Sequence, residues 1–124
     1  MTRTPNYVIK LEPCAATFDV VDVDTIVRAN TEPWFNQTIC PVNDCVIRLG
    51  IIEGDFHWHK HDDEDEFFFI VSGSLVIDVE GRDSIPLTAG QGTLIPRGVV
   101  HRPRTQGKVV MLMFEGAGVV PTGD

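Results

Sequence analysis

Several things are scarce in this chain of 124 residues, and each scarcity removes a class of protein. No apolar run approaches the roughly 20 residues that cross a bilayer. The opening "MTRTPNYVIKLEP" has no continuous apolar stretch of the kind that directs secretion, so the cytoplasm is the expected location. Basic residues are few: 10 Lys and Arg face 18 Asp and Glu, a net charge of −8 at pH 7. With no basic stripe and no Lys/Arg tract interleaved with aromatics, neither nucleic acid nor a membrane surface is expected as a partner. Cysteine is limited to Cys14, Cys40 and Cys45, an odd number that suits free thiols rather than a disulfide framework. Cys40 and Cys45 read as small apolar residues flanking a turn at "PVND", because a structural zinc site brings a second paired motif. "NQT" at 36–38 carries no meaning in that location.

Helical periodicity is almost absent as well. What the chain has instead is short apolar runs cut by Gly, Pro and Asp. "QTIC" and "CVIRLGII" flank "PVND" as a hairpin; "FFFIV" (67–71) ends at "SGS"; "LVIDV" (75–79) runs into "EGRD", where Gly81 is free to take a positive φ. "SIPL", "TLIP", "RGVVH" and "KVVMLMF" (108–114) follow at similar spacing. Regularly spaced short strands divided by turn signals predict an all-β sandwich or barrel forming one domain. Within it, residues 1–35 read as an N-terminal strand or arm, 36–115 as the barrel and 116–124 as an irregular tail. In the arm, "FDVVDV" reads as a strand and "DTIVRAN" as either a helical turn or a strand. No low-complexity segment and no internal repeat is visible.

Three of the four histidines fall in "HWHKH", at every second position, and "DDEDE" follows at once. On a strand, alternate residues share a face about 6.5–7 Å apart. Two imidazoles so placed converge on one divalent ion through bonds of about 2.0–2.2 Å. Trp58 and Lys60 would point the other way. A carboxylate and His101, the remaining histidine, would complete the set. Spacing alone leaves two registers open: His57 and His59 with Glu64, or His59 and His61 with Glu66. Downstream, six residues separate Glu66 from Gly73 at a turn, whereas the matching position after Glu64 is Val71, inside a strand.

"HKHDDEDEFFFIVSG" resembles the first motif of the cupin superfamily, and "GQGTLIPRGVVHRPRT" resembles the second, with Gly90, Pro96, Gly98 and His101 on its pattern. The wording is similar to that of small single-domain bacterial cupins, over about residues 50–114. The resemblance implies a single-domain jelly-roll β-barrel holding one metal ion on His59, His61, Glu66 and His101, and a homodimer to which an N-terminal strand contributes. Two departures stand out: four residues instead of five intervene between Gly54 and His59, implying a local shift of register, and Thr105 occupies the place of a frequent asparagine.

Asp62, Asp63, Glu64 and Asp65 are then expected to form a solvated turn. Arg97, Arg102, Arg104 and Lys108, around His101, read first as rim charges. Phe68 and Ile70 share the parity of Glu66 and, with Met111 and Met113 (or alternatively Leu112 and Phe114) facing them, would wall the pocket. His57 shares the ligand face and is a candidate acid/base, as is Glu66 should it leave the metal to move a proton. Three imidazoles and one carboxylate leave a divalent site with a net charge of about +1 and, in octahedral coordination, open positions. Fe, Mn, Ni, Co and Zn all suit such ligands. Open positions favour a catalytic ion, so the leading expectation is an oxygenase or an isomerase/lyase acting on a small oxygen-rich molecule. The rival is a non-catalytic cupin that binds a sugar or small acid. Nothing within these residues supplies a regulatory output, which favours the enzyme.

Overall fold

In a computed structural model, described over residues 7–124, the chain folds into two facing β-sheets. Its elements are β1 (Val8–Lys10), α1 (Val23–Arg28), β2 (Trp34–Val42), β3 (Cys45–Ile52), β4 (Glu66–Ser72), β5 (Ser74–Val79), β6 (Ile85–Thr88), β7 (Gly92–Ile95), β8 (His101–Arg104) and β9 (Val109–Gly116). One sheet has six strands in the order β1-β2-β3-β9-β4-β7; the other has three, β6-β5-β8. This is the all-β jelly-roll architecture that the turn spacing and the motifs predict. Among the described residues no helix is long and apolar enough to cross a membrane.

Side-chain alternation decides what lies between the sheets. In β4, Glu66, Phe68 and Ile70 are buried while Phe67, Phe69 and Val71 are only partly covered. β9 runs antiparallel beside it and sets Glu115 opposite Glu66, Met113 opposite Phe68 and Met111 opposite Ile70. The three-stranded sheet closes the interior with Leu75, Ile77 and Val79. Met111 and Met113 therefore face inward, and Phe114 points out at 40% exposure.

The outer face of the large sheet is apolar too, which is why its strands read as nearly continuous hydrophobic runs. Leu49, Ile51 and Val110 form a second core there, covered by Val23, Ile26 and Val27 of α1. Residues 18–22 form no strand, contrary to the reading of "FDVVDV". The reason is local: Asp19 Oδ2 accepts from Ala16 N at 2.8 Å, and Asp22 caps α1 by accepting from Thr25 N at 3.2 Å. Short acidic side chains that bind nearby backbone compete with a ladder and start a helix instead.

Candidate metal centre

The histidine stretch joins β3 to β4 and is not the regular strand its alternation predicts. It touches β8 through only two isolated bridges, Asp55 to Arg104 and His59 to His101, so four residues advance on one side against three on the other. The slip lies between those bridges, and the two positions that depart from the cupin pattern pair just outside it. Gly54, at φ +110, donates its N–H to Thr105 Oγ1 at 2.9 Å, and Thr105 N returns a bond to the Gly54 carbonyl at 2.9 Å. Beyond the slip, His59 and His101 exchange backbone hydrogen bonds of 3.0 and 2.9 Å, which fixes their side chains beside each other.

His59, His61, Glu66 and His101 converge there. One ligand atom from each lies within 4.8 Å of all the others, and all but His59 are fully buried. Glu66 Oε1 is 3.4 Å from His61 Nε2 and 3.5 Å from His101 Nε2. Those gaps are long for hydrogen bonds and suit two donor atoms on one cation with bonds of about 2.1 Å. His101 Nδ1 donates to the Val99 carbonyl at 2.8 Å, and His59 Nδ1 donates to the His57 carbonyl at 3.0 Å. Each bond assigns the ring proton to Nδ1 and turns the Nε2 lone pair inward, the usual support of a metal-bound imidazole. His101 Nε2 and Glu66 Oε1 are buried without a hydrogen-bond partner, a costly arrangement that a cation relieves. Burial, reinforced by His101, lowers the His59 pKa to about 4, so this ring is neutral at pH 7 and ready to ligate.

The competing register resolves onto Glu66. Glu64 turns away and packs against Gly116 and Gly118. Asp62, Asp63 and Asp65 are exposed, and Asp65 Oδ1 accepts from Arg97 N at 2.9 Å. Arg102 and Arg104 occupy the opposite face of β8 from His101, where both bind Asp78 Oδ2, at 3.1 and 2.8 Å. His57 stands outside the cluster. Tyr7 O–H donates to its Nδ1 at 3.0 Å, and its Nε2–H donates to the Thr122 carbonyl at 2.6 Å.

Two buried charged residues beside the cluster went unnoticed in the sequence. Glu115, on β9 opposite Glu66, meets Arg48 Nη1 of β3 at 2.9 Å; Arg48 also donates to Thr38 Oγ1 at 3.2 Å. Burial and the adjacent Glu66 carboxylate push Glu115 up to about 10, against the pull of Arg48. Burial alone would raise Glu66 also, but the adjacent Glu115 carboxyl and the His101 and His61 imidazoles outweigh it and hold Glu66 well below the usual carboxylate range. The two facing carboxyls therefore disfavour ionisation of both at once. The available signal was Arg48 itself, a charge in the middle of the apolar run "CVIRLGII".

A cavity of about 50 Å³ opens onto His59 and Glu66. Phe68, Met111 and Met113 line it together with Trp34 and Phe56; Ile70 lies in the core instead. The arrangement pairs a possible ion site with a small apolar chamber.

A family profile described as "Cupin domain" matches residues 49–115. YdbB, an uncharacterized protein of Bacillus subtilis, is 40% identical over 84 residues, covering 68% of this chain and 74% of that protein. Polyketide synthase CurC of Streptomyces cyaneus is 41% identical over 49 residues, 40% of this chain and 31% of that protein. Among solved structures, a cupin-2 domain containing protein from Shewanella frigidimarina superimposes with a TM-score of 0.73 at 31% identity, covering 78% of this chain and 94% of that one.

Proposed function

The chain belongs to the cupin family, and from that premise we propose that it is a metal-dependent enzyme, an oxygenase or an isomerase/lyase, acting on a small oxygen-rich molecule. The observation that carries the reading is the convergence of His59, His61, Glu66 and His101, with two of their buried donor atoms unpartnered, at the wall of a cavity. A bound Fe, Mn, Ni, Co or Zn ion would supply Lewis acidity or a site for O₂. The apolar walls from Phe68, Met111 and Met113 exclude water and strengthen electrostatics at the reacting atoms. Glu66 is the residue to move a proton, because it lines the cavity and has the Glu115 carboxyl opposite it on β9.

The substrate class follows from the donor set. A site with nitrogen and carboxylate ligands takes a substrate that chelates through two oxygens: a diol, enediol, diketone or hydroxy acid. The similarity to CurC, named for polyketide synthesis, supports the diketone end of that range, since polyketide chains carry 1,3-dicarbonyl groups. Three free cysteines agree with a reducing, cytoplasmic setting.

Elemental analysis of protein purified without added metal tests the reading. Near-stoichiometric transition metal is expected in the wild type, with loss in both His59→Ala and His101→Ala. Metal retained in both variants would remove this ligand set. Oxygen-uptake and rearrangement assays on dicarbonyl and hydroxy-acid panels then divide the classes. A metal-loaded protein that binds such molecules but converts none would be a binding module instead.

A further inference from the structure

The C-terminal segment, irregular as its Gly/Pro content predicts, is nevertheless placed over the site. Its start is fixed: Val119 is buried at 4% exposure, and Arg48 Nη1 donates to its carbonyl at 2.6 Å. Past that point the chain turns, Val120 is exposed, and Gly123 N closes a turn onto the Val120 carbonyl at 2.8 Å. Pro121 and Thr122 form part of the cavity lining. Gly123 takes φ +95 and lies so close to His59 that a Cβ added there would meet His59 Cβ at 2.5 Å. Only glycine lets the backbone rest on that ring.

What holds this segment down differs in kind from what anchors it. The Thr122 carbonyl accepts from His57 Nε2, Asp124 N donates to the Lys60 carbonyl at 2.9 Å, and Asp62 N donates to Asp124 Oδ2 at 2.6 Å. The two side-chain bonds among these are exposed, whereas the Arg48 anchor is buried. Exposed bonds exchange readily with water and contribute little each, so the latches release while the anchor holds. His57 is the chief latch: its imidazole stacks on Phe56 at 4.3 Å between centroids and joins Tyr7, before β1, to Thr122. One neutral tautomer satisfies both bonds.

We propose that residues 120–124 are a hinged strap that walls the cavity and limits the size of the molecule admitted, with His57 as a positioning residue that latches it shut. The proposal rests on the reading of the four-residue cluster as a metal site. A small chelator fits beneath the closed strap, whereas a bulky one binds only the open form, and its apparent affinity is reduced by the fraction of molecules open.

The test uses the full chain loaded with Co(II), whose visible spectrum reports both the site and its ligands. Acetohydroxamate and benzohydroxamate bind through the same two oxygens and differ in bulk. In the His57→Phe/Asp124→Ala variant, which keeps the stacking on Phe56 and removes two latches, benzohydroxamate affinity should rise about tenfold, as expected for two exposed hydrogen bonds. Acetohydroxamate affinity and the cobalt spectrum should stay as in wild type. An unchanged ratio of the two affinities overturns the strap, and an altered spectrum overturns it in favour of direct support of the metal by His57. If wild type takes up no Co(II), the metal reading fails and hydrogen exchange decides alone. The strap then requires faster exchange at Gly123 and Asp124 in the variant with Val119 unchanged; equal exchange at all three overturns it.

Discussion

Arg48 and Glu115 show how much depends on single residues here. Each is nearly sealed from water, at 4% and 3% exposure, and each is the other's partner across neighbouring strands. Such a pair is weak evidence of net stability, because desolvation offsets most of the attraction. Removing one member is another matter. Glu115→Ala leaves the Arg48 guanidinium buried beside a cavity, and a loss of about 3–5 kcal/mol is expected in urea denaturation. The Arg48→Met/Glu115→Leu double variant, which removes the guanidinium together with its partner, should recover much of that loss. A loss below about 1 kcal/mol in Glu115→Ala would mean that solvent already reaches the pair. The four residues of the His/Glu cluster were legible because their spacing is chemically unusual and two motifs had to agree. Glu115 was not, since a lone acid after "MLMF" has no local signature and its partner lies 67 residues away.

At the scale of elements, turns were read better than the segments between them. Gly73 separates β4 from β5 and marks where the chain leaves the large sheet for the small one. It takes φ +84, and a Cβ there would sit 2.6 Å from the Lys108 carbonyl oxygen and 3.2 Å from Val109 Cα. Gly81 has nearly the same φ, +81, yet open space around it. The pair separates two effects. Gly81→Ala should cost about 1 kcal/mol for the left-handed backbone alone, and Gly73→Ala clearly more, because β9 must also move. Equal losses in thermal unfolding would show that the corner yields freely. The histidine segment was misread as a strand because alternation reports which side chains share a face, not whether the backbone finds a partner. Between Phe56, whose N–H reaches the Pro103 carbonyl, and His59 the ladder is interrupted. The arm was misread in the opposite sense: apolar composition suggested a strand where two aspartates bind the backbone locally.

The whole molecule leaves apolar surface where a lone copy gains nothing from it. Phe18 is fully exposed and Val20 is 93% exposed, both on the arm that precedes α1. Nearby in sequence, β1 forms one edge of the six-stranded sheet, pairing among the described residues only with β2. An open edge and an adjacent apolar loop are features that natural proteins usually cover. We therefore propose a homodimer in which the arm of each subunit packs on the other. Because each chain carries −8, like charge opposes the association, and added salt should strengthen it by screening that repulsion while leaving the apolar contact intact. Light scattering across protein concentration and salt is the check: dimer in the wild type, tighter at higher salt, and a shift to monomer in Phe18→Ser/Val20→Ser. The affected residues are exposed and lie outside both cores, so that variant should keep its fold. A wild type that scatters as a monomer at every concentration would leave the arm without a partner of its own kind, and a dimer indifferent to the double substitution would place the interface on another face.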